Sequence, residues 1–570
     1  MEKSAFITKV KHPRSDVEIH LPDGRVYTGA RGTPVGVFLR ELPEWENPPI
    51  VGAIVNSELR ELTYPIEIEA RVKPVTMSDP DGARIYRRSL IFLLQAAFEE
   101  LFPDDGLRVD YSVASGGYYC QTMSQIPLTR SQLNSLEKRM RTLVQADIPF
   151  ERAQVSLQEA VQYFKAKNQE DKANLLKYRQ KDHLVLYGLG EHRDYHHGYM
   201  VPSTGYIRWF DLVKLGDGFV VHFPHRTSPK ELVPIQEYPK LLTAFREYGA
   251  WLSRLGISDV GSLNDAIEHG KMHELILVSE AFHERRIAEI AASIVEHSDT
   301  ARIVLIAGPS SSGKTTFSKR LAIQLLAQGI SPYPVEMDNY FVDRELTPKD
   351  ANGQYDFEAL ETLNLPLLAD QLEKLCAGEE VQLPHYNFKT GLSEPGEVVQ
   401  LKKEQLLILE GIHGLDPKLL PNFPVDRTYR IYVSCLTQLN LDRYNRISTT
   451  DTRLLRRIVR DARERGYTAQ KTIQRWESVQ AGEKKHIFPY QENANVMFNS
   501  ALAYDLSALK SLAEPLLRQV PYGTEEYIEA KRLLAFLEWF LPIDINLIPE
   551  NSILKEFIGG SIFQDFKLEA

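Results

Sequence analysis

The sequence predicts an α/β protein built around a doubly wound parallel sheet, preceded by two α+β units. Three observations predict it. Ile303 to Ala307 is a short apolar run, as a buried parallel strand requires. GPSSSGKT follows at once, and then Leu321, Leu325 and Leu326 at helical spacing, up to Gly329. From 301 to about 510, runs of strand length keep alternating with helical patterns.

At 570 residues the chain is too long for one core, so several domains are expected. Hydrophobic residues make up 43% and charged residues 25%, an ordinary balance for a soluble globular protein. The net charge of -10 argues against a dominant nucleic-acid surface. The three cysteines, Cys120, Cys376 and Cys435, lack metal or redox spacing, so a reducing compartment is expected. No apolar run approaches the ~18 residues of a membrane span. The opening MEKSAFITKVKHPRSD has no apolar signal core. The expectation is a cytoplasmic protein with no membrane partner, its oligomeric state open.

Residues 1–80 read as a small α+β unit. DVEIHLPDGRVY gives two alternating strands around Pro22-Asp23-Gly24. Thr33 to Leu39 predicts a helix, capped by Thr33 with Pro34 at its first position. Strands are expected at Ile50–Val55 and around Leu62–Ile68. Through VEIHLPDGRVY and VGAIVNSELREL the unit resembles the TGS domain of threonyl-tRNA synthetases. That resemblance implies binding of RNA or a regulatory ligand, with a purely structural appendage as the alternative.

Residues 81–225 resemble the second additional domain of the same synthetases, which carries their editing site. The matching stretches are GARIYRRSLIFLLQAAFEELFP, GGYYC and LEKRMRTLVQADIPFERAQVS. In that family the first helix opens with a His-x-x-x-His pair. Here those positions are Arg88 and Phe92, which neither bind zinc nor exchange protons near neutral pH. The family's later Cys-x-x-x-His element is replaced by EHRDYHHGYMVPSTGY. His192 and His196 have i, i+4 spacing, but Gly188, Gly190, Gly198, Pro202 and Gly205 predict a loop around them. A structural or substrate-contacting loop is expected, with editing chemistry lost. Residues 226–300 predict helices at Leu241–Leu255, Leu263–Glu268 and Leu275–Glu296. His269, His273 and His283 lie among them as ordinary surface or core histidines.

Residues 301–510 hold the chemistry. Gly308, Pro309, Ser310, Ser311, Ser312, Gly313, Lys314, Thr315 and Thr316 form a phosphate cradle between strand and helix. Lys314 adds a point charge for β/γ-phosphates, and the Thr315 hydroxyl is a Mg²⁺ ligand. ATP and Mg²⁺ are therefore the expected cofactors. Asp338 ends the brief strand Val335–Met337, placed to accept a proton or hold Mg²⁺, or simply to cap a turn. Glu410 ends the apolar strand Leu406–Leu409, where a Mg²⁺-directed carboxylate belongs. In DTRLLRRIVRDARERG, Arg453, Arg456, Arg457 and Arg460 share one helix face, opposite Leu455, Ile458, Val459 and Ala462. This is either a solvated face or a lid offering forked phosphate contacts.

The stretches GPSSSGKTT, MDNYF, YDFEALETLNLPLL, LPHYNF, LILEGI, DTRLLRRIVRDARERG and NANVMFNSALAYDL resemble the uridine kinase/phosphoribulokinase family. The resemblance implies that Asp338 is the catalytic base, with Lys314, Arg456 and Arg460 acting on phosphates. It implies that Thr315, Glu410 and Asp338 serve Mg²⁺, and that Tyr340, Tyr386, Arg453 and Arg457 contact substrate. Asn387, Gly391, Ser393 and Tyr467 depart from the family's base-reading residues, so pyrimidine selectivity is expected to be loose. The implied activity is ATP-dependent phosphorylation of a nucleoside 5′-hydroxyl. A kinase for a sugar or sugar phosphate, or an RNA-associated regulatory NTPase, remains open. Residues 511–570 are helical and apolar, with KRLLAFLEWFLPI ending at Pro542 and expected to dock on another domain.

Overall fold

The computed structural model describes residues 15–113, 115–349, 353, 355–402, 404–564 and 566. Residues 16–76 form a five-stranded sheet in the order Val26–Ala30, Asp16–His20, Ala70–Thr76, Ile50–Val55, Glu58–Arg60. The hairpin at its edge turns where Leu21 N–H donates to Arg25 O. Thr33 does not cap the following helix. Thr33–Pro34 instead pairs with Pro65–Ile66, and the helix runs Val35–Arg40. Its first amides, Val35 and Gly36, donate to Tyr64 O and Leu62 O, so carbonyls of the turn before Pro65–Ile66 do what a side-chain cap would do.

In residues 81–225 a long helix, Pro80–Leu101, lies buried against a four-stranded antiparallel sheet ordered Asp211–Leu215, Gly218–His222, Gly117–Thr122, Leu107–Val113. A second helix, Arg130–Gln145, starts with a capping box between Thr129 and Gln132. A smaller sheet holds Glu151–Ser156, His183–Leu189 and His192–Asp194. His192 is thus on a strand, not in the expected loop, because Leu189 and His192 pair across the tight turn at Gly190. His196 and His197 do lie outside regular structure. Helices Pro239–Arg254, Val260–Glu268 and Met272–Glu296 follow.

The central sheet begins at β1 (Ile303–Ala307) and is followed by α1 (Lys314–Ala327). Then come β2 (Pro332–Glu336), α2 (Leu365–Ala377), β3 (Leu406–Glu410) and β4 (Thr428–Ser434). Helices α3 (Thr449–Glu464) and α4 (Ala469–His486) precede β5 (Val496–Asn499). All neighbours pair in parallel, in the order β2-β3-β1-β4-β5. A hairpin, Glu380–Asn387 with Leu392–Gln400, projects between α2 and β3. The chain ends in α5 (Asp505–Leu517), α6 (Glu526–Leu537) and a short turn of helix, α7 (Lys555–Ile558).

One apolar core runs through both halves. It joins Phe164 and Tyr195 from the N-terminal half to Val304, Phe317 and Ile458 of the central domain, and to Trp539 and Phe557 of the tail. Trp539 stacks on Tyr195 with centroids 5.6 Å apart, and Asn264 donates to Trp539 O and accepts from Leu541 N–H. Among the described residues, no helix is long and apolar enough to cross a membrane.

Candidate active site

The loop from β1 to α1 is held close to β4. A Cβ on Gly308 would sit 1.9 Å from Val433 O, so only glycine fits there. Gly313 enters α1 with φ +84°, a conformation that L side chains rarely adopt. The turn this creates aims the loop amides and the first turn of α1 inward. Lys314 lies over the loop, donating to Pro309 O at 3.3 Å, with its ammonium 4.0 Å from Glu410.

Strand register brings the acids together. Glu336 on β2 pairs with Glu410 on β3, which lies beside Ile306 on β1. Glu410 accepts from the Thr315 hydroxyl at 3.2 Å. Burial, reinforced by Asp338 and Glu336, pushes the Glu410 carboxyl up to about 7, while Lys314 opposes the shift. Asp338 follows β2 in a single 3₁₀ turn, Met337–Tyr340. The residue is exposed, yet protein atoms around its carboxyl partly desolvate it. That desolvation raises its pKa, with Glu336 adding and Lys314 subtracting.

The helix α3 does not present an open arginine face. Arg453 and Arg456 are 2% and 0% exposed. Arg453 binds both oxygens of Glu483 on α4 and donates to Ser310 O at 3.0 Å. Arg456 pairs with Asp505 at 2.6 Å and donates to Ser500 O. Arg457 reaches the Ser310 hydroxyl at 2.9 Å, and Arg457 and Arg460 both lean on buried Asp461. The expected solvated face or lid is instead a packed layer, because α4, α5 and α7 cover the helix on the sides that spacing alone leaves open. Tyr340 is likewise corrected from a pocket-lining residue to a core strut: it is 1% exposed and donates to Gln371. Tyr386 is buried edge-on to Phe341 and Phe388, near the hairpin turn. There Asn387 Oδ1 accepts from Lys389 and Thr390 amides, and Gly391 has φ +77°.

Sequence reasoning missed two carboxylates. Glu483 accepts from Ser310 N–H at 2.9 Å, and Glu556 on α7 accepts from Thr316 N–H and Oγ1. Neither stands in a recognisable motif. Both show that the cradle's N–H groups take oxyanions, as a phosphate site must. Thr315 and Glu410 present oxygen donors of the kind Mg²⁺ prefers.

Residues 303–507 match the sequence profile described as the Phosphoribulokinase / Uridine kinase family. The C-terminal region carries a domain of that family. Within this kinase-family domain lie the cradle, Asp338, Glu410 and the α3 arginines, whereas Glu556 lies beyond it. A structure described as a "Possible Uridine Kinase" from Bacillus stearothermophilus is 22% identical. It covers 38% of this chain and 98% of its own, with a TM-score of 0.27. D-glycerate 3-kinase from Cryptococcus neoformans is 14% identical over 36% of this chain and 89% of its own, also at 0.27.

The N-terminal part is similar to threonine–tRNA ligases. That of Desulforamulus reducens is 30% identical over 36% of this chain and 32% of its own length, and that of Burkholderia lata is 32% identical over the same shares. The chain thus spans about a third of the length of these relatives. In this half Arg88 donates to Tyr199 O, and its guanidinium lies against Gly198. Phe92 packs on His192 and His196. Both His196 and His197 are half-buried, and desolvation lowers His196 well below its ordinary pKa and His197 to about 3, which keeps both neutral. His192 bridges Glu99 and Gln95.

Proposed function

We propose that the kinase-family domain transfers a phosphoryl group from ATP to a hydroxyl, the 5′-hydroxyl of a nucleoside. The observation that carries this reading is the juxtaposition of Asp338, Lys314 and Glu410 at the ends of β2, α1 and β3. Ligands of doubly wound sheets bind at those strand ends. Asp338 accepts the hydroxyl proton, while Lys314 and the loop amides hold the phosphates. Arg457, which reaches the Ser310 hydroxyl of the loop, and Arg460, which shares Asp461 with it, offset charge as the group passes. Mg²⁺, when bound through Thr315 and Glu410 with Asp338 nearby, supplies charge neutralisation between the β- and γ-phosphates.

A sugar or sugar phosphate is a second acceptor class. It is favoured by the hairpin turn, where Asn387 spends its carbonyl oxygen on Lys389 and Thr390 and leaves that oxygen unavailable to read a base. A site without a hydrogen bond to the base discriminates poorly among bases. The test is a coupled ADP-release screen of nucleosides, sugars and sugar phosphates with the full chain and Mg²⁺. Turnover that depends on a nucleoside supports the proposal, and turnover only with a sugar supports the second class. Turnover stimulated by RNA without any acceptor would overturn both in favour of a regulatory NTPase.

A further inference from the structure

The chain's own tail returns to the phosphate cradle. Ile553, Leu554 and Phe557 are fully buried. A Cβ on Gly313 would lie 2.4 Å from Ile553 Cγ2, so this segment rests on the turn that shapes the loop. Glu556 Oε2 accepts from Thr316 N–H at 3.2 Å and from the Thr316 hydroxyl at 2.9 Å. Thr316 is in the first turn of α1, whose amides have no partner within the helix and face an anion. Arg456 holds its guanidinium 5.0 Å from the centroid of the Phe557 ring. Arg463 fixes the Glu556 carbonyl at 2.9 Å, and Lys319 of α1 donates to Phe563 O at 2.6 Å. A carboxylate on two cradle donors, followed by a ring under an arginine, reproduces the two halves of a nucleotide: an oxyanion and a flat base.

We propose that residues 552–558 are an intrasteric plug of the nucleotide site. Glu556 stands where a nucleotide phosphate oxygen must bond, and Ile553 and Phe557 fill the adjoining space, so nucleotide binds only when the segment swings out. This rests on reading the cradle as a nucleotide site. The apparent affinity is the intrinsic affinity scaled by the fraction of molecules with the segment out. Glu483 on Ser310 N–H is a different case. Arg453 grips both its oxygens inside the domain, whereas the Glu556 carboxylate bonds Thr316 alone among the described residues and is carried on the single helical turn Lys555–Ile558.

The test uses the full chain and Glu556→Ala. Glu556 is only partly buried, so the substitution spares the three apolar anchors. Two readouts are taken: titration with a non-hydrolysable ATP analogue plus Mg²⁺, and amide hydrogen exchange at Thr316 and across 552–558. The expected results are threefold. Thr316 exchanges faster in nucleotide-free Glu556→Ala than in wild type. The analogue binds the variant tenfold or more tightly, since two hydrogen bonds to a charged acceptor no longer compete. In wild type, saturating analogue speeds exchange across 552–558. Equal affinities within twofold, weaker binding by the variant, or a segment that analogue protects would each overturn the plug while leaving the nucleotide site standing. Absence of analogue binding to both chains would overturn the nucleotide-site reading and the plug with it.

Discussion

Arg456 decides whether α3 is a lid or a strut, and the structure sets the magnitude. Its guanidinium is fully buried, 2.6 Å from Asp505, and also serves Ser500 O. Asp505 is 3% exposed and otherwise accepts only from Leu502 N–H at 3.3 Å and, weakly, from the Cys435 thiol. Burial raises the Asp505 carboxyl's pKa, and Arg456 is the chief force keeping it charged. Arg456→Met fills similar volume but strands that carboxylate and the Ser500 carbonyl. Removing one partner of a buried pair costs ~3–5 kcal/mol, a large share of the ~5–15 kcal/mol typical of a folded protein. Arg456→Met with Asp505→Leu removes both charges and should recover more than half of that loss, because apolar replacements of buried pairs are close to neutral. Urea unfolding at pH 7, followed by tryptophan fluorescence and circular dichroism, gives the midpoints and slopes for both variants. The strut reading is refuted if Arg456→Met unfolds within ~1 kcal/mol of wild type while phosphoryl transfer falls ~10³-fold or more, the signature of an arginine acting on the transferring group.

Two further outcomes follow from the site and the core. Asp338→Asn should lower single-turnover transfer by ~10²–10⁴-fold with nucleotide binding kept, whereas Lys314→Ala should weaken both; transfer within a few-fold of wild type would remove Asp338 as the base. His283 is buried against Phe498, and desolvation, with Arg320 and Arg456 nearby, lowers it to about 3 from an ordinary 6.5. Between those values the unfolded chain binds a proton that the native chain refuses, so stability falls as pH drops. From pH 7 to 5, wild type should lose ~2 kcal/mol more than His283→Gln in urea unfolding. Equal losses would show that His283 is protonated in the folded protein.

The sheet and the cradle were legible because both are local. Ile303–Ala307, Leu406–Glu410 and the GPSSSGKT loop declare themselves by runs and spacing, and β1, β3 and α1 fall within a few residues of expectation. The partners of the arginines were not legible. Spacing puts Arg453 and Arg456 on a common face, but Glu483, Asp505 and Phe557, which cover that face, lie 30, 49 and 101 positions away. The same holds for Tyr340, whose setting in MDNYF does not reveal that Gln371 takes its hydroxyl. Thr33 failed as a cap for the converse reason: a remote turn offered Tyr64 O and Leu62 O to the helix amides first. His192 was misplaced because glycines mark tight turns as readily as loops.

The shared core has a consequence for engineering. The N-terminal part and the kinase-family domain resemble different proteins, the one matched over 36% of the chain and the other over residues 303–507. Yet Trp539 lies on Tyr195, Tyr195 bonds Asp442 at 2.7 Å, and Arg84 grips Glu529. Cutting the chain near residue 300 would leave each fragment with an apolar wound and stranded charges. The halves are therefore not interchangeable modules, and swapping either one for a relative's would mean rebuilding this seam residue by residue.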